Sequence, residues 1–260
     1  MVHRILIVTA VAAEADSVAA GLGHDARDTP RDTAREPSRK PVPLPGGLTL
    51  RRRADGADLL VGGVGPAAVA AATATALTAA SLAGTPYDLV VSAGIAGGFA
   101  PHAPIGTVVV SEAIVAADLG ADTPDGYLAV EELGFGRSAH PVPHSLTGPL
   151  AAALRAGDRP HTVAPVLTVS TVTGTAGRAA ELAGRHPTAA AEAMEGFGVA
   201  EAAAAYGVPA VEIRSVSNAV GPRDRAAWRI GEALDALRQA FALLGPQLLT
   251  NPTTPSAEAK

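Results

Sequence analysis

Residues 191–218, AEAMEGFGVAEAAAAYGVPAVEIRSVSN, contain a helix, a helix stop and a strand in succession. The segment from Ala193 to Tyr206 is rich in strong helix formers, and Gly207 with Pro209 ends the helix. The next run, 210–216, is short, apolar and partly β-branched, and it predicts a buried strand. A helix that leads directly into a buried strand is typical of α/β folds.

Polar residues lie at both ends of this helix–strand unit. Glu195 lies near the helix start, where free backbone N–H groups favour a carboxylate. Glu212 and Arg214 interrupt the strand and, because side chains alternate, they share one face with Asn218 if the strand stays regular. A buried arginine needs a partner. These residues therefore predict either a structural Glu212–Arg214 ion pair at a sheet edge or part of a functional site.

Size and composition exclude several function classes. The 260 residues are 48% hydrophobic but only 3% aromatic, so Ala, Val, Leu and Ile must build most of the core. A net charge of −5 argues against a nucleic-acid partner, and the absence of cysteine excludes disulfides and thiolate metal sites. No apolar run has the length of a membrane span, and the N-terminus lacks the features of a signal peptide. We therefore expect a soluble cytoplasmic protein.

Strand-like and helix-like segments alternate along the chain. Strands are predicted at 5–8, 48–53, 58–62, 87–92, 105–110, 112–119, 163–173 and 210–216. Helices are predicted at 11–22, 146–156, 177–184, 193–206 and 226–244, and a long Ala/Thr-rich helix is predicted to begin near Pro66. The Asp-, Gly- and Pro-rich residues 118–137 are expected to form a loop. This order predicts an α/β fold with a mainly parallel sheet. We expect one domain over 1–245, in which the charged, Pro-rich residues 24–47 form a mobile surface insertion, followed by a disordered tail at 246–260.

Several polar or glycine-rich segments follow predicted strands. Glu14 comes just past the first strand, AGIAGGF at 93–99 follows the strand at 87–92, TVTG occupies 171–174, and Asn218 ends the last strand. Ligands in open α/β sheets bind beyond the carboxyl ends of the strands. These segments therefore predict one binding site at that edge of the sheet.

The order of six segments resembles the nucleoside phosphorylase and nucleosidase superfamily, most of all the branch that includes methylthioadenosine/S-adenosylhomocysteine nucleosidase and futalosine hydrolase. The six segments are ILIVTAVAAE (5–14), VGGVGPAAVA (61–70), SAGIAGGF (92–99), IGTVVVSE (105–112), AMEG (193–196) and VPAVEIRSVSN (208–218). They are specific together rather than singly, and the resemblance covers nearly the whole chain except 24–47 and the tail. It implies a single-domain, three-layer α/β/α fold with a mixed, mainly parallel central sheet, and no metal or organic cofactor.

The resemblance also implies a role for each matched residue. Glu14 would orient and deprotonate the attacking water, and Arg214 would lie beside that water. Glu195 would bind the 2′- and 3′-hydroxyls and oppose the positive charge that develops on the sugar. Asn218 occupies the position of the general acid. The remaining matches are Met194 beneath the ribose, Ala96, Gly97 and Val172 along the base, and Trp228 over the 5′ end of the nucleoside.

Two positions depart from the adenine-cleaving nucleosidases that the chain resembles. Those enzymes have aspartic acid at the position of Asn218, and an asparagine cannot supply a proton, although its NH₂ donates and its carbonyl accepts hydrogen bonds. A 6-oxopurine offers acceptors where adenine offers an amino donor, so Asn218 predicts hypoxanthine or guanine as the leaving base. The second departure is Ile95, which stands where those enzymes have a serine near the water.

These features predict an enzyme that hydrolyses a 6-oxopurine nucleoside. The resemblance implies the futalosine reaction of menaquinone biosynthesis, in which hypoxanthine leaves a nucleoside with a 5′ aromatic carboxylate. Arg137, Arg223 and Arg225 are candidates for binding that carboxylate. Three alternatives stay open: a purine nucleoside phosphorylase, a methylthioadenosine/S-adenosylhomocysteine nucleosidase, and a nucleoside-binding protein without activity. The resemblance also implies a homodimer.

Overall fold

The computed structural model of the chain describes residues 3–23 and 40–250. Within these ranges the strands are β1 (Ile5–Thr9), β2 (Val42–Pro43), β3 (Thr49–Arg51), β4 (Ala57–Val61), β5 (Leu89–Gly98), β6 (Val108–Ala116), β7 (Gly120–Thr123), β8 (Gly126–Ala129), β9 (Ala139–Pro141), β10 (His161–Thr168), β11 (Ala191–Ala193) and β12 (Ala210–Ala219). The α-helices are α1 (Ala12–Gly21), α2 (Pro66–Leu82), α3 (His144–Ala156), α4 (Ala176–Arg185), α5 (Gly196–Ala205) and α6 (Ile230–Thr250). None of the helices in the described ranges is both long and apolar enough to cross a bilayer.

The central sheet has the strand order β11-β10-β6-β12-β5-β1-β4-β3-β2, and β9 pairs with β6. Strand β1 is parallel to both β4 and β5, while β12 is parallel to β5 and antiparallel to β6. The longest pairings, β12 with β5 and β10 with β6, are parallel. The predicted α/β class with a mixed, mainly parallel sheet is therefore confirmed.

The alternating side chains of β1 separate two hydrophobic cores. Ile5 and Ile7 pack in a core with residues of α1, α3 and α6, whereas Leu6 and Val8 pack in another with α2 and α5. All four side chains are at most 1% exposed, as expected of a central parallel strand that is covered on both faces. Helices thus lie on both sides of the sheet and form the three α/β/α layers.

One end of the sheet curls until it closes on itself. Strand β11 is parallel to β10 and antiparallel to β5, so β5, β12, β6, β10 and β11 form a closed ring of strands. This closure sets the segment before α5 beside the carboxyl end of β5. Residues from distant parts of the sequence are therefore brought together at that end of the sheet.

Two predicted boundaries of the domain are wrong. Helix α6 continues to Thr250, so the tail does not begin at 246, and residues 251–260 lie outside the described ranges. Residues 24–39 of the predicted insertion also lie outside those ranges. Residues 40–47 contain β2 and a 3₁₀ turn at Pro45–Gly47, because β2 pairs with β3 at the sheet edge.

Three local predictions are wrong, two of them because strand pairing overrides local propensity. The helix predicted from Ala193 begins at Gly196, since 191–193 pair as β11. The segment 118–137 contains the β7–β8 hairpin, although its composition is typical of a loop. The helix predicted at 226–244 begins only at Ile230, after a 3₁₀ turn.

Candidate active site

A cavity of about 350 Å³ lies where strands β1, β4, β5 and β12 reach their carboxyl ends, the edge at which α/β sheets bind ligands. Of the nine site residues predicted from the sequence, all except Arg214 line it. Arg214 is 1% exposed and lies buried beneath the lining. The eight lining residues are Glu14, Ala96, Gly97, Val172, Met194, Glu195, Asn218 and Trp228.

Glu14 lies in the first turn of α1 and is 4% exposed. Its Oε2 accepts hydrogen bonds from the backbone N–H groups of Ala10 (3.0 Å) and Val11 (3.3 Å), and its Oε1 accepts one from the N–H of Ile95 (2.9 Å). The first two bonds satisfy N–H groups at the start of the helix, and the third ties α1 to β5. The carboxylate is therefore fixed on the cavity wall with acceptor capacity left for a water molecule.

Glu195 is the residue that immediately precedes α5, and it is 6% exposed. Its Oε1 accepts from the N–H of Gly65 at 3.3 Å, and its Oε2 accepts from the N–H of Met194 at 3.3 Å. The same Oε2 lies 3.1 Å from Arg214 Nη2. Gly65 has a φ of 92°, a conformation that favours glycine, so the GGVGP turn presents its backbone to this carboxylate.

Arg214 lies beneath the cavity lining, where it interacts with the buried carboxylates. Its Nε donates to Glu212 Oε1 at 2.7 Å, and its Nη2 donates to Ser92 Oγ at 3.2 Å. Strand β12 lies between β5 and β6, so this ion pair is in the sheet interior and not at an edge. Burial lowers the pKa of Arg214, but the carboxylates of Glu212, Glu195 and Glu14 raise it above its usual value.

Two glycines give this network its space. A β-carbon at Gly94 would overlap Glu14 Oε1 and Arg214 Nη1. A β-carbon at Gly196 would overlap the carboxylate of Glu212. The backbone at both positions must therefore lack a side chain for the charged groups to approach one another.

Asn218 lies at the end of β12, where it is the register partner of Gly97 in β5. Its Oδ1 accepts from Ser217 Oγ at 2.8 Å, and its Nδ2 donates to the carbonyl of Ala219 at 3.0 Å. A β-bulge between Val216 and Asn218 breaks the alternation assumed from the sequence. The regular face of β12 thus ends before Asn218, whose side chain lies on the cavity wall.

The cavity is also lined by Trp228, which follows the 3₁₀ turn at Arg225–Ala227. The guanidinium of Arg223 lies over the Trp228 ring, 5.8 Å from the ring centroid, and also lines the cavity. Of the three arginines considered for a 5′ carboxylate, Arg223 is the one that lines the cavity described here. Arg137 instead pairs with Glu201 at 2.8 Å, away from this cavity.

Glu192 is a cavity residue that the sequence analysis did not identify. It lies in β11, is 5% exposed, and accepts hydrogen bonds from the backbone N–H (2.9 Å) and the hydroxyl of Thr173. Burial raises the pKa of its carboxyl above the usual value, and the two bonds from Thr173 oppose that rise. The available signal was a second acid, three residues before Glu195, inside the Ala-rich run AAAEAMEG at 189–196, which local propensity places in or beside a helix.

The carboxylates of the cavity are held by backbone N–H groups, Arg214 and Thr173. Across 3–23 and 40–250, no group of three or more His, Cys, Asp or Glu side chains is placed to hold a metal ion.

Residues 4–249 match the family described as the phosphorylase superfamily. The chain belongs to this superfamily. A curated futalosine hydrolase from Streptomyces coelicolor is 59% identical over 245 residues, which cover 94% of this chain and 96% of the relative. A second, from Acidothermus cellulolyticus, is 49% identical and covers 92% of this chain and 89% of the relative.

Solved structures of the superfamily share the fold. The native futalosine hydrolase of Helicobacter pylori aligns with a TM-score of 0.71 at 18% identity, covering 96% of this chain and 97% of that one. A methylthioadenosine/S-adenosylhomocysteine nucleosidase from Colwellia psychrerythraea, in complex with adenine, aligns with a TM-score of 0.71 at 21% identity, covering 95% and 96%. At these identities the likeness establishes the fold of this superfamily member.

Proposed function

We propose that the protein hydrolyses the N-glycosidic bond of futalosine and releases hypoxanthine, a reaction of menaquinone biosynthesis. The observation that carries the proposal is the single cavity lined by Glu14, Glu195 and Asn218. The 59% identity to a curated futalosine hydrolase over 94% of the chain supports the same substrate.

The ribose would bind against Glu195 and Met194. Positive charge develops on the sugar as the glycosidic bond breaks, and a carboxylate on the 2′- and 3′-hydroxyls opposes that charge. The N–H groups of Gly65 and Met194, together with Arg214, already hold Glu195 in place. The carboxylate therefore needs little reorganisation when the charge appears.

Glu14 would orient and deprotonate the water that attacks the sugar opposite the leaving base. Its three backbone hydrogen bonds fix the carboxylate on the cavity wall. At position 95, where the adenine nucleosidases have a serine, Ile95 binds Glu14 through its backbone N–H. Arg214 would act on Glu14 and Glu195 as a positioning cation, because it lies beneath the cavity lining.

Asn218 would stabilise the leaving base at its N7 and O6 edge. The NH₂ of an amide can donate to O6 and its carbonyl can accept from a protonated N7, but it cannot supply the proton itself. Gly97 and Ala96 leave room for the flat base beside this amide. Val172 would cover the base from the turn at 171–174.

The 5′ aromatic carboxylate of futalosine would bind beside Trp228 in the cavity. An aromatic ring can stack on Trp228, and a carboxylate can pair with the guanidinium of Arg223, which lies beside that ring. Arg223 is the one Lys or Arg side chain among the described residues that line this cavity.

The position of that single cation also favours water over phosphate as the nucleophile. A phosphorylase needs a cationic pocket for phosphate where the nucleophile attacks. In this proposal Glu14 occupies that place with a negative charge, while Arg223 lies beside Trp228.

The proposal is tested by incubating the protein with futalosine, inosine and methylthioadenosine, with and without phosphate, and measuring the free base by chromatography. We expect hypoxanthine to be released from futalosine fastest and independently of phosphate. Faster release of adenine from methylthioadenosine would contradict the proposal. Phosphate dependence would identify a phosphorylase, and tight binding without base release would identify a binding protein.

A homodimer and a cytoplasmic location remain predictions. Val172 is 44% exposed beside the cavity, which gives a partner subunit an apolar surface to cover there. Light scattering coupled to size-exclusion chromatography would measure the oligomeric state, and a monomer at all concentrations would contradict the dimer.

A further inference from the structure

Glu192 has no role among the residues assigned to the sugar, the water and the N7 edge of the base. It is 5% exposed and lines the cavity from β11. Its two oxygens accept one hydrogen bond each, both from Thr173, and each oxygen of a carboxylate can accept two. Glu192 therefore keeps acceptor capacity in a cavity where an unpaired carboxylate is costly to bury.

The strand register sets Glu192 and Asn218 on opposite sides of Gly97. Gly97 is the register partner of Glu192 in β11 and of Asn218 in β12. Because neighbouring strands are about 4.8 Å apart, the Cα atoms of Glu192 and Asn218 lie roughly 10 Å apart across Gly97. All three residues line the same cavity. A flat base over Gly97 would thus meet one of the two side chains at each edge.

We infer that Glu192 accepts a hydrogen bond from N1–H of the 6-oxopurine and so determines, together with Asn218, which base is cleaved. This inference rests on the proposed function. A 6-oxopurine has a donor at N1 and an acceptor at O6, whereas adenine has an acceptor at N1 and a donor at its 6-amino group. An ionised carboxylate only accepts hydrogen bonds. Adenine would therefore place its N1 lone pair against Glu192 and its amino group against the Asn218 NH₂.

The two hydrogen bonds with Thr173 do not by themselves require a carboxylate at position 192. A glutamine could accept from the Thr173 N–H and donate to its hydroxyl, which is both donor and acceptor. A glutamine would therefore bind Thr173 without burying a charge, whereas burial of the charged carboxyl raises the pKa of Glu192. A charged side chain that costs stability in a cavity is typical of a site that binds a ligand there.

The test uses free bases as competitive inhibitors of futalosine hydrolysis. Hypoxanthine carries N1–H, and 1-methylhypoxanthine lacks it but keeps O6 and N7. We expect the methylated base to bind about 10- to 100-fold more weakly to the wild type, since a hydrogen bond to a charged group is lost. Glu192→Gln loses the charge but keeps a carbonyl acceptor, so it should weaken the binding of hypoxanthine several-fold more than that of 1-methylhypoxanthine, and the ratio of the two inhibition constants should fall toward one.

Two control variants separate base recognition from structure. Thr173→Val removes the hydroxyl but keeps the backbone N–H donor, and it should lower the ratio of inhibition constants less than Glu192→Gln does. Glu232→Gln changes a glutamate of α6 that is 73% exposed, and it should behave as the wild type.

Equal binding of the two bases to the wild type would overturn the inference without any variant. The inference would also be overturned if Glu192→Gln kept the wild-type ratio of inhibition constants. The same holds if Thr173→Val lowered that ratio as much as Glu192→Gln does. A wild type that releases no hypoxanthine from futalosine would instead contradict the proposed function. If the wild type hydrolyses futalosine but binds 1-methylhypoxanthine as tightly as hypoxanthine, only the role of Glu192 is contradicted.

Discussion

Replacing Arg214 with methionine removes the cation that joins the buried carboxylates. Glu212 is 0% exposed, its Oε1 accepts from Arg214 Nε at 2.7 Å, and its Oε2 has no hydrogen-bond partner among the described residues. Removing one partner of a buried ion pair costs about 3–5 kcal/mol, because the other charge is left uncompensated. At about 2–4 °C for each kcal/mol in a domain of this size, the melting temperature should fall by roughly 6–20 °C.

A double variant separates stability from chemistry. Arg214→Met combined with Glu212→Leu replaces both partners with apolar side chains, a change that is often neutral or stabilising. It should recover much of the free energy of unfolding but not the hydrolysis of futalosine, since Glu195 and Glu14 still lack their cation. Arg238→Met, at an exposed ion pair of α6, is the control and should change stability by less than about 0.5 kcal/mol.

Urea unfolding and futalosine turnover measure the two effects. The reasoning is refuted if Arg214→Met loses less than about 1 kcal/mol of unfolding free energy, a loss typical of a single ordinary substitution. It is also refuted if the double variant regains wild-type turnover, because Arg214 would then have no part in positioning the catalytic carboxylates.

Glu14→Gln should lower kcat by about 100- to 10,000-fold with an unchanged circular dichroism spectrum, and near-normal turnover would show that Glu14 is not the base. Gly94→Ala should lower kcat/KM by at least about tenfold, because its methyl group displaces the charged network, whereas Gly177→Ala in α4 meets open space and should keep full activity. Asn218→Asp should shift the released base from hypoxanthine toward adenine in assays with futalosine and methylthioadenosine, and an unchanged ratio would contradict its role. Burial, and then the charge of a neighbouring arginine, lowers the pKa of His186 below 6.5, so the unfolded chain binds more protons as the pH falls through that value. The free energy of unfolding should therefore decrease from about pH 7 to about pH 5, and His186→Gln should show a smaller decrease in urea titrations.

The fold class could be predicted because its strongest signals are local. The continuous apolar run of β1 and the helix–strand succession at 193–216 need no knowledge of distant partners. Strand β11 could not be predicted in the same way, since the residues 191–193 are mostly alanine and favour a helix. They form a strand only because β10 and β5 offer hydrogen-bonding partners on both sides.

The same distinction applies to the site. Glu14 and Asn218 could be assigned to one edge of the sheet because strand ends of an α/β sheet converge, and Glu195 was added by the family resemblance. Glu192 could not, because it enters the cavity only through the closure of β11 on β5. The position of Arg214 beneath the lining also depends on neighbours, since it lies among carboxylates from three separate segments.

Hydrolysis of futalosine in ¹⁸O-labelled water, followed by mass spectrometry of both products, shows whether Glu14 directs water onto the sugar. We predict one hypoxanthine for each sugar product, with one heavy oxygen atom on the sugar, and loss of both products in Glu14→Gln. Intact futalosine, or a sugar phosphate without the label, would contradict the claim that Glu14 directs water onto a 6-oxopurine nucleoside.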